Sequence, residues 1–135
     1  MLKFTKIGQQ TPPKRDVINR KEDFNEIYDD FIKQKAQEQS SRCSQCGVPF
    51  CQVHCPLSNN IPDWLKLTAE GRLKEAYELS QSTNNMPEVC GRICPQDRLC
   101  EGNCVRTIWS WDSNNWFDGK IYNRQCLGKR LGETD

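Results

Sequence analysis

The chain is 135 residues long and carries 19 Lys plus Arg against 18 Asp plus Glu, a formal net charge of +1. That balance leaves no field to gather nucleic acid or an anionic membrane, and neither is expected as a partner. With 36% hydrophobic and 27% charged residues and a mean hydropathy of −0.82, a single domain of this size has a thin core and needs another staple, of which metal is one.

Residues 1–21 hold Gln9-Gln10, Pro12-Pro13 and scattered Lys and Arg without a sustained period, and read as an extended arm that lies on a partner surface. The opening segment has no apolar h-region, and no stretch approaches the roughly 18 apolar residues of a membrane span, so a cytoplasmic location is expected. From Glu22 to about Arg42, the spacing of Phe24, Ile27, Tyr28, Phe31 and Ile32 predicts one face of an amphipathic helix that delivers the chain to Cys43. A second helix is predicted from Ile61-Pro62, where proline suits a first turn, through Trp64, Leu65, Leu67 and Thr68 to a stop at Gly71. Leu73, Ala76, Tyr77 and Leu79 continue a helical pattern to the polar run Ser80 to Asn85, and Pro87 opens a further short helix. No segment alternates as a strand does, so the fold class is all-α, with loops wrapped around metal over a domain spanning 22–107.

Chemistry is concentrated in the cysteines. Cys43-x2-Cys46-x4-Cys51-x3-Cys55-Pro56 forms one group, and Cys94-Pro95-x4-Cys100-x3-Cys104 forms a second, with Cys90 four residues before Cys94. Ordinary cytosolic thiols stay reduced, and clustered ones point to metal. Thiolates are soft donors, and two groups of four match two [4Fe-4S] cubes. In ferredoxins the cysteine before proline serves the other cluster, so Cys43, Cys46 and Cys51 begin one cube and Cys55 crosses to the second. Structural zinc favours two Cys-x2-Cys pairs, and only Cys43 and Cys46 make one, which leaves a zinc-stabilised, non-redox binding domain as the competing reading. His54 is the only histidine; a Rieske centre needs two, so it is read as solvated or as support for a ligand. There is no GxGxxG and no Walker motif, hence no nucleotide site and no catalytic residue to place.

The segment from Arg42 to Cys104, with its CGxPxC turn, NxIPxW helix start, TNxxPEVCGRxCP stretch and CPQDRLCEGxC, closely resembles the N-terminal iron–sulfur domain of the NADPH-dependent glutamate synthase small (β) subunit. It is also similar to the N-terminal domain of dihydropyrimidine dehydrogenase. The resemblance covers roughly residues 10–105 and implies an α-helical ferredoxin-like domain around two [4Fe-4S] clusters. It further implies FAD- and NADPH-binding domains elsewhere in the family protein, and a large (α) subunit bearing FMN that makes glutamate. Carried over residue by residue, it assigns Cys43, Cys46, Cys51 and Cys104 to one cluster, and Cys55, Cys94 and Cys100 to the other. Relatives look to take the fourth ligand of the second from a Glu or Gln in a short helix beyond the last cysteine, within a sequence like GAVTIGxxE. That stretch is not found here; Cys90 is held as a substitute, and for this chain one secure cluster and one compromised, incomplete cluster are expected. Another flavin-dependent NAD(P)H oxidoreductase using the same module is the remaining alternative.

The likeness stops after Cys104. Residues 108–135 contain three of the four tryptophans and Cys126. Read one base later, codons permitted for Trp116 to Thr134 encode GSMEKYITDNAWEKGWVKP, which resembles the family's continuation and puts a Glu where the absent ligand belongs. A frameshift near Arg106 to Ile108 is therefore expected, with 108–135 an out-of-frame, poorly ordered tail and Cys126 no ligand. The chain as written shows no flavin or NADPH domain and is not expected to catalyse the full reaction alone.

Overall fold

The computed structural model describes residues 1–10, 12–29 and 33–106. Among these run α1 (Val17–Glu22), α2 (Lys33–Ser40), α3 (Phe50–Val53), α4 (Ile61–Ala69), α5 (Leu73–Gln81) and α6 (Pro87–Ile93), with 3-10 turns at Lys3–Thr5 and Gln96–Arg98. The described residues form no strand, only one antiparallel bridge between Lys14 and Tyr28, so the fold there is all-α. The tail 108–135, with Cys126, lies outside the described residues.

Helix α4 organises the rest. Pro62 occupies its first turn, where a missing N–H costs no hydrogen bond, and Asn60 Nδ2 donates to Asp63 Oδ2 at 2.7 Å across that turn. Ile61, Trp64, Leu65 and Thr68 recur at the helical period, and all four are buried. The helix ends as the sequence predicts: Gly71 takes φ 81°, its N–H reaches Thr68 O at 3.0 Å, and Arg72 N–H reaches Leu67 O at 2.9 Å. This left-handed closure satisfies the last carbonyls and needs a residue without Cβ. A Cβ on Gly71 would also stand 2.6 Å from the Gln37 side-chain amide of α2. Helices α5 and α2 both pack on α4, and the core they enclose is Ile61, Trp64, Leu65, Ala76 and Cys100.

The N-terminal third departs from expectation. A continuous helix from Glu22 to about Arg42 does not form: α1 lies almost wholly inside the expected arm, Asp23 is extended (φ −140°, ψ 171°), and among the described residues α2 is Lys33–Ser40. Phe24, placed on an apolar helical face by its spacing, is fully exposed, and Ile27 is exposed too; Phe31 and Ile32 lie outside the described residues. The cause is a competing set of hydrogen bonds. Arg15 N–H donates to Ile27 O and Asp29 N–H to Pro13 O, each at 2.9 Å. The Arg15 guanidinium holds both Asp23 oxygens, at 3.1 and 2.6 Å, and Glu26 O at 3.0 Å. Those bonds consume groups that a helix through 23–29 would need, and the exposed Phe24 and Ile27 bring no burial to outweigh them.

The arm is likewise not an extended segment. Leu2 N–H donates to Cys43 O at 3.0 Å and Lys3 N–H to Ser41 O at 3.1 Å. The buried Gln39 side chain accepts from Gln10 N–H at 3.1 Å and donates to Gly8 O at 3.2 Å. Residues 1–10 thus strap the end of α2.

Candidate metal centre

The eight cysteines from Cys43 to Cys104 are free thiols. Cys43 and Cys46 sit in the loop after α2, Cys51 in the first turn of α3 and Cys55 just beyond that helix; Cys90 lies in α6 and Cys94 caps its C-terminus. Cys94 N–H donates to Cys90 O at 3.0 Å, which sets these two one helical turn apart. Cys100 and Cys104 follow on the turn closed by Cys104 N–H to Glu101 O at 3.1 Å.

Each loop has its own clamp. In the first, Gln45 adopts φ 51°, a left-handed bend uncommon outside glycine. The bend curls the chain so that Gln45 N–H and Nε2 point to Cys43 Sγ at 3.5 and 3.4 Å, while Nε2 also donates to Pro62 O at 2.7 Å. In the second, buried Gln96 is the hub: its carbonyl accepts from Leu99 N–H at 3.1 Å and Glu101 N–H at 2.9 Å, and its Nε2 donates to Gly91 O at 3.2 Å. Gly102 is obligatory there, because a Cβ would stand 2.1 Å from Asp97 O. Cys100 is part of the buried core, and Cys43, Cys51 and Cys55 pack against it, so the two cysteine-bearing segments converge on α4 and α5.

The thiols also sense one another. Burial raises the Cys46 thiol first, and then its neighbours Cys43 and Cys104 raise it further. Burial, followed by Cys104 and Cys43 and last by Cys100, pushes Cys51 up to about 12. Cys94 is raised by burial, then by Cys55, Cys90 and Glu101. Cys43, Cys46, Cys51 and Cys104 therefore share one neighbourhood, Cys55, Cys90 and Cys94 share another with the carboxylate of Glu101, and Cys100 acts on Cys51 of the first. Crowded, partly dry thiols oppose each other's ionisation, and a polynuclear cation relieves that opposition by taking the thiolates as ligands. The donor set fits iron–sulfur chemistry. Among the described residues no group of three or more His, Cys, Asp or Glu side chains is placed to hold a single metal ion.

His54 caps α3, exposed, with Nδ1 2.9 Å from Phe50 O, so its ring is engaged by its own helix. Gln45, Gln96 and Glu101 escape a reading by residue type. Their signal in the sequence is position alone, between or beside cysteines.

A family described as dihydropyrimidine dehydrogenase domain II, 4Fe-4S cluster, matches residues 20–113. The glutamate synthase [NADPH] small chain of Azospirillum brasilense is 70% identical over 105 residues, 78% of this chain and 22% of that protein. Its counterpart in Escherichia coli K12 is 53% identical over 105 residues, with the same two shares. That of Mycobacterium tuberculosis H37Rv is 41% identical over 107 residues, 79% of this chain and 21% of the relative. The chain thus spans about a fifth of the length of these curated relatives. Among the described residues no helix is long and apolar enough to cross a membrane.

Proposed function

The chain belongs to the dihydropyrimidine dehydrogenase domain II, 4Fe-4S cluster family, and from that premise we propose that it is the electron-relay domain of a glutamate synthase small subunit. In this reading Cys43, Cys46, Cys51 and Cys104 hold one [4Fe-4S] cluster, and Cys55, Cys94 and Cys100 hold a second, less secure one, with Cys90 as the substitute for its fourth ligand. The observation that carries it is the grouping of the thiols: Cys104 lies with Cys46 and Cys51, and Cys55 lies with Cys94. When bound, such clusters supply one-electron carriers. The chain's own residues hold the thiols on a shared apolar core, and Gln45 directs N–H donors at Cys43. The domain operates with FAD- and NADPH-binding domains and passes electrons towards the large subunit for glutamate synthesis.

Anaerobic purification tests the reading. A brown chain with iron and acid-labile sulfide is expected, about four of each from the secure cluster and up to about eight where Cys90 completes the second; a colourless zinc protein refutes it. The crossed wiring has its own check. Cys55→Ala is expected to remove the second cluster's spectroscopic signal and spare the first, and loss of the first alone refutes the assignment. Residues 108–135 are proposed to be an out-of-frame continuation. Resequencing the DNA across Arg106 to Ile108 is expected to reveal a gained or lost base, and an intact frame overturns that proposal.

A further inference from the structure

Cys43 and Cys104 stand at opposite ends of the cysteine-bearing segment, yet both adjoin the N-terminal strap. On one side, Leu2 N–H donates to Cys43 O at 3.0 Å and Lys3 N–H to Ser41 O at 3.1 Å. On the other, the Arg106 guanidinium, two residues past Cys104, lies 4.7 Å from the centroid of the Phe4 ring. Phe4 itself is held in the 3-10 turn Lys3–Thr5, closed by Lys6 N–H and Ile7 N–H on Lys3 O at 3.0 and 2.9 Å. A second anchor lies farther along the strap, where Gln39 bridges Gly8, Gln10 and the Arg42 guanidinium.

We propose that Phe4 and Arg106 form a clasp that positions Cys43 and Cys104 against each other and keeps the first cluster's ligand set closed. The inference rests on the assignment of those two thiols to one cluster. No helix runs from one cysteine to the other, so their separation is fixed only through the packed elements between them and through the strap. The clasp is the shorter route: Cys43 O to Leu2, one turn to Phe4, the ring to Arg106, and back two residues to Cys104. A cation over an aromatic face is favourable and tolerates small sliding motions, which suits a contact that must admit iron and then close. Phe4 acts through its contact with Arg106. It is a positioning residue.

The test uses the full chain loaded with iron and sulfide. It is challenged with an iron chelator while freed thiols are alkylated and located by mass spectrometry. In Phe4→Ala, Cys43, Cys46, Cys51 and Cys104 are expected to be freed together roughly fivefold faster than in the parent, with Cys55, Cys94 and Cys100 at the parent rate. Phe4→Trp restores the parent rates, since a larger ring keeps the cation contact. Arg106→Gln removes the same contact from the other side and must reproduce the pattern, and it decides the matter if Phe4→Ala fails to fold. Unchanged release, or equal acceleration at all cysteines, overturns the clasp. If instead Cys43 and Cys104 are freed in different sets in the parent chain, the cluster assignment fails and not the clasp.

Discussion

At the scale of single residues, the site depends on side chains that carry no metal-binding signature. Gln45 donates to Cys43 Sγ from both its amides, and N–H donors stabilise the more negative, reduced state of an iron–sulfur cluster. Gln45→Ala removes the side-chain donor and the tie to Pro62 O, so the first cluster's reduction potential is expected to fall, as read by an EPR-monitored redox titration; an unchanged or higher potential contradicts this. For the second cluster, Cys90 and Glu101 both stand near Cys94. The thiolate is the softer donor and lies one helical turn from Cys94, so Cys90 is the better ligand. Cys90→Ser is expected to cost the second cluster its iron. Glu101→Gln is expected to keep the iron and raise the potential by removing a negative charge. Iron lost in the Glu101 variant and kept in the Cys90 variant reverses the roles. The cysteines were legible because their chemistry and spacing are local properties. Gln45 was not, since its role arises from a left-handed bend that no pattern of apolar and polar residues encodes.

At the scale of elements, legibility tracked how much of each helix's stability is local. Helices α4 and α5 and the start of α6 carry their own punctuation in Pro62, Gly71 and Pro87, and the apolar stripes of α4 and α5 meet a core. In the segment 22–42 Phe24 and Ile27 are exposed, and the pairing of 13–15 with 27–29 overrides the helical pattern through contacts between residues distant in sequence. That pairing is open to test by pH. The Arg15 guanidinium, by hydrogen bonding first and by its charge as well, holds the Asp23 carboxyl well below its ordinary value of 3.8. A carboxyl whose folded pKa is depressed stabilises fully above its ordinary pKa and loses that contribution as pH falls towards the folded value. Glu26, lowered first by its hydrogen bond from Arg92, shifts in the same sense. The Lys14–Tyr28 bridge is therefore expected to be indifferent to pH between about 7 and 5 and to open progressively below about pH 4, as followed by the amide resonances of Arg15 and Asp29. In Arg15→Ala the bridge should be open throughout that range. Opening between pH 7 and 5 in the parent would point to a different titrating group.

For the whole molecule, the described core amounts to Ile61, Trp64, Leu65, Ala76 and the thiol-bearing Cys100, with Cys43, Cys51 and Cys55 packed on it. The proposed ligand residues are thus also packing residues, sharing one core with Trp64, one of the most buried side chains. So small an apolar core is a weak source of stability for a domain of this size. The balance is expected to come from metal ligation, because thiolates bind metal only where the fold has gathered them, which makes binding free energy folding free energy. Removing the iron with a chelator under reducing conditions should lower the melting temperature by more than about 10 °C, since about 1 kcal/mol corresponds to roughly 4–8 °C in a domain of this size. Tryptophan near-ultraviolet dichroism should fade in the same transition as the visible absorbance of the clusters, because α4 and the thiols share one core. A metal-free chain that melts at the parent temperature with its dichroism intact would show that the helices stand without their metal, and the clusters would then be cargo on a self-sufficient fold.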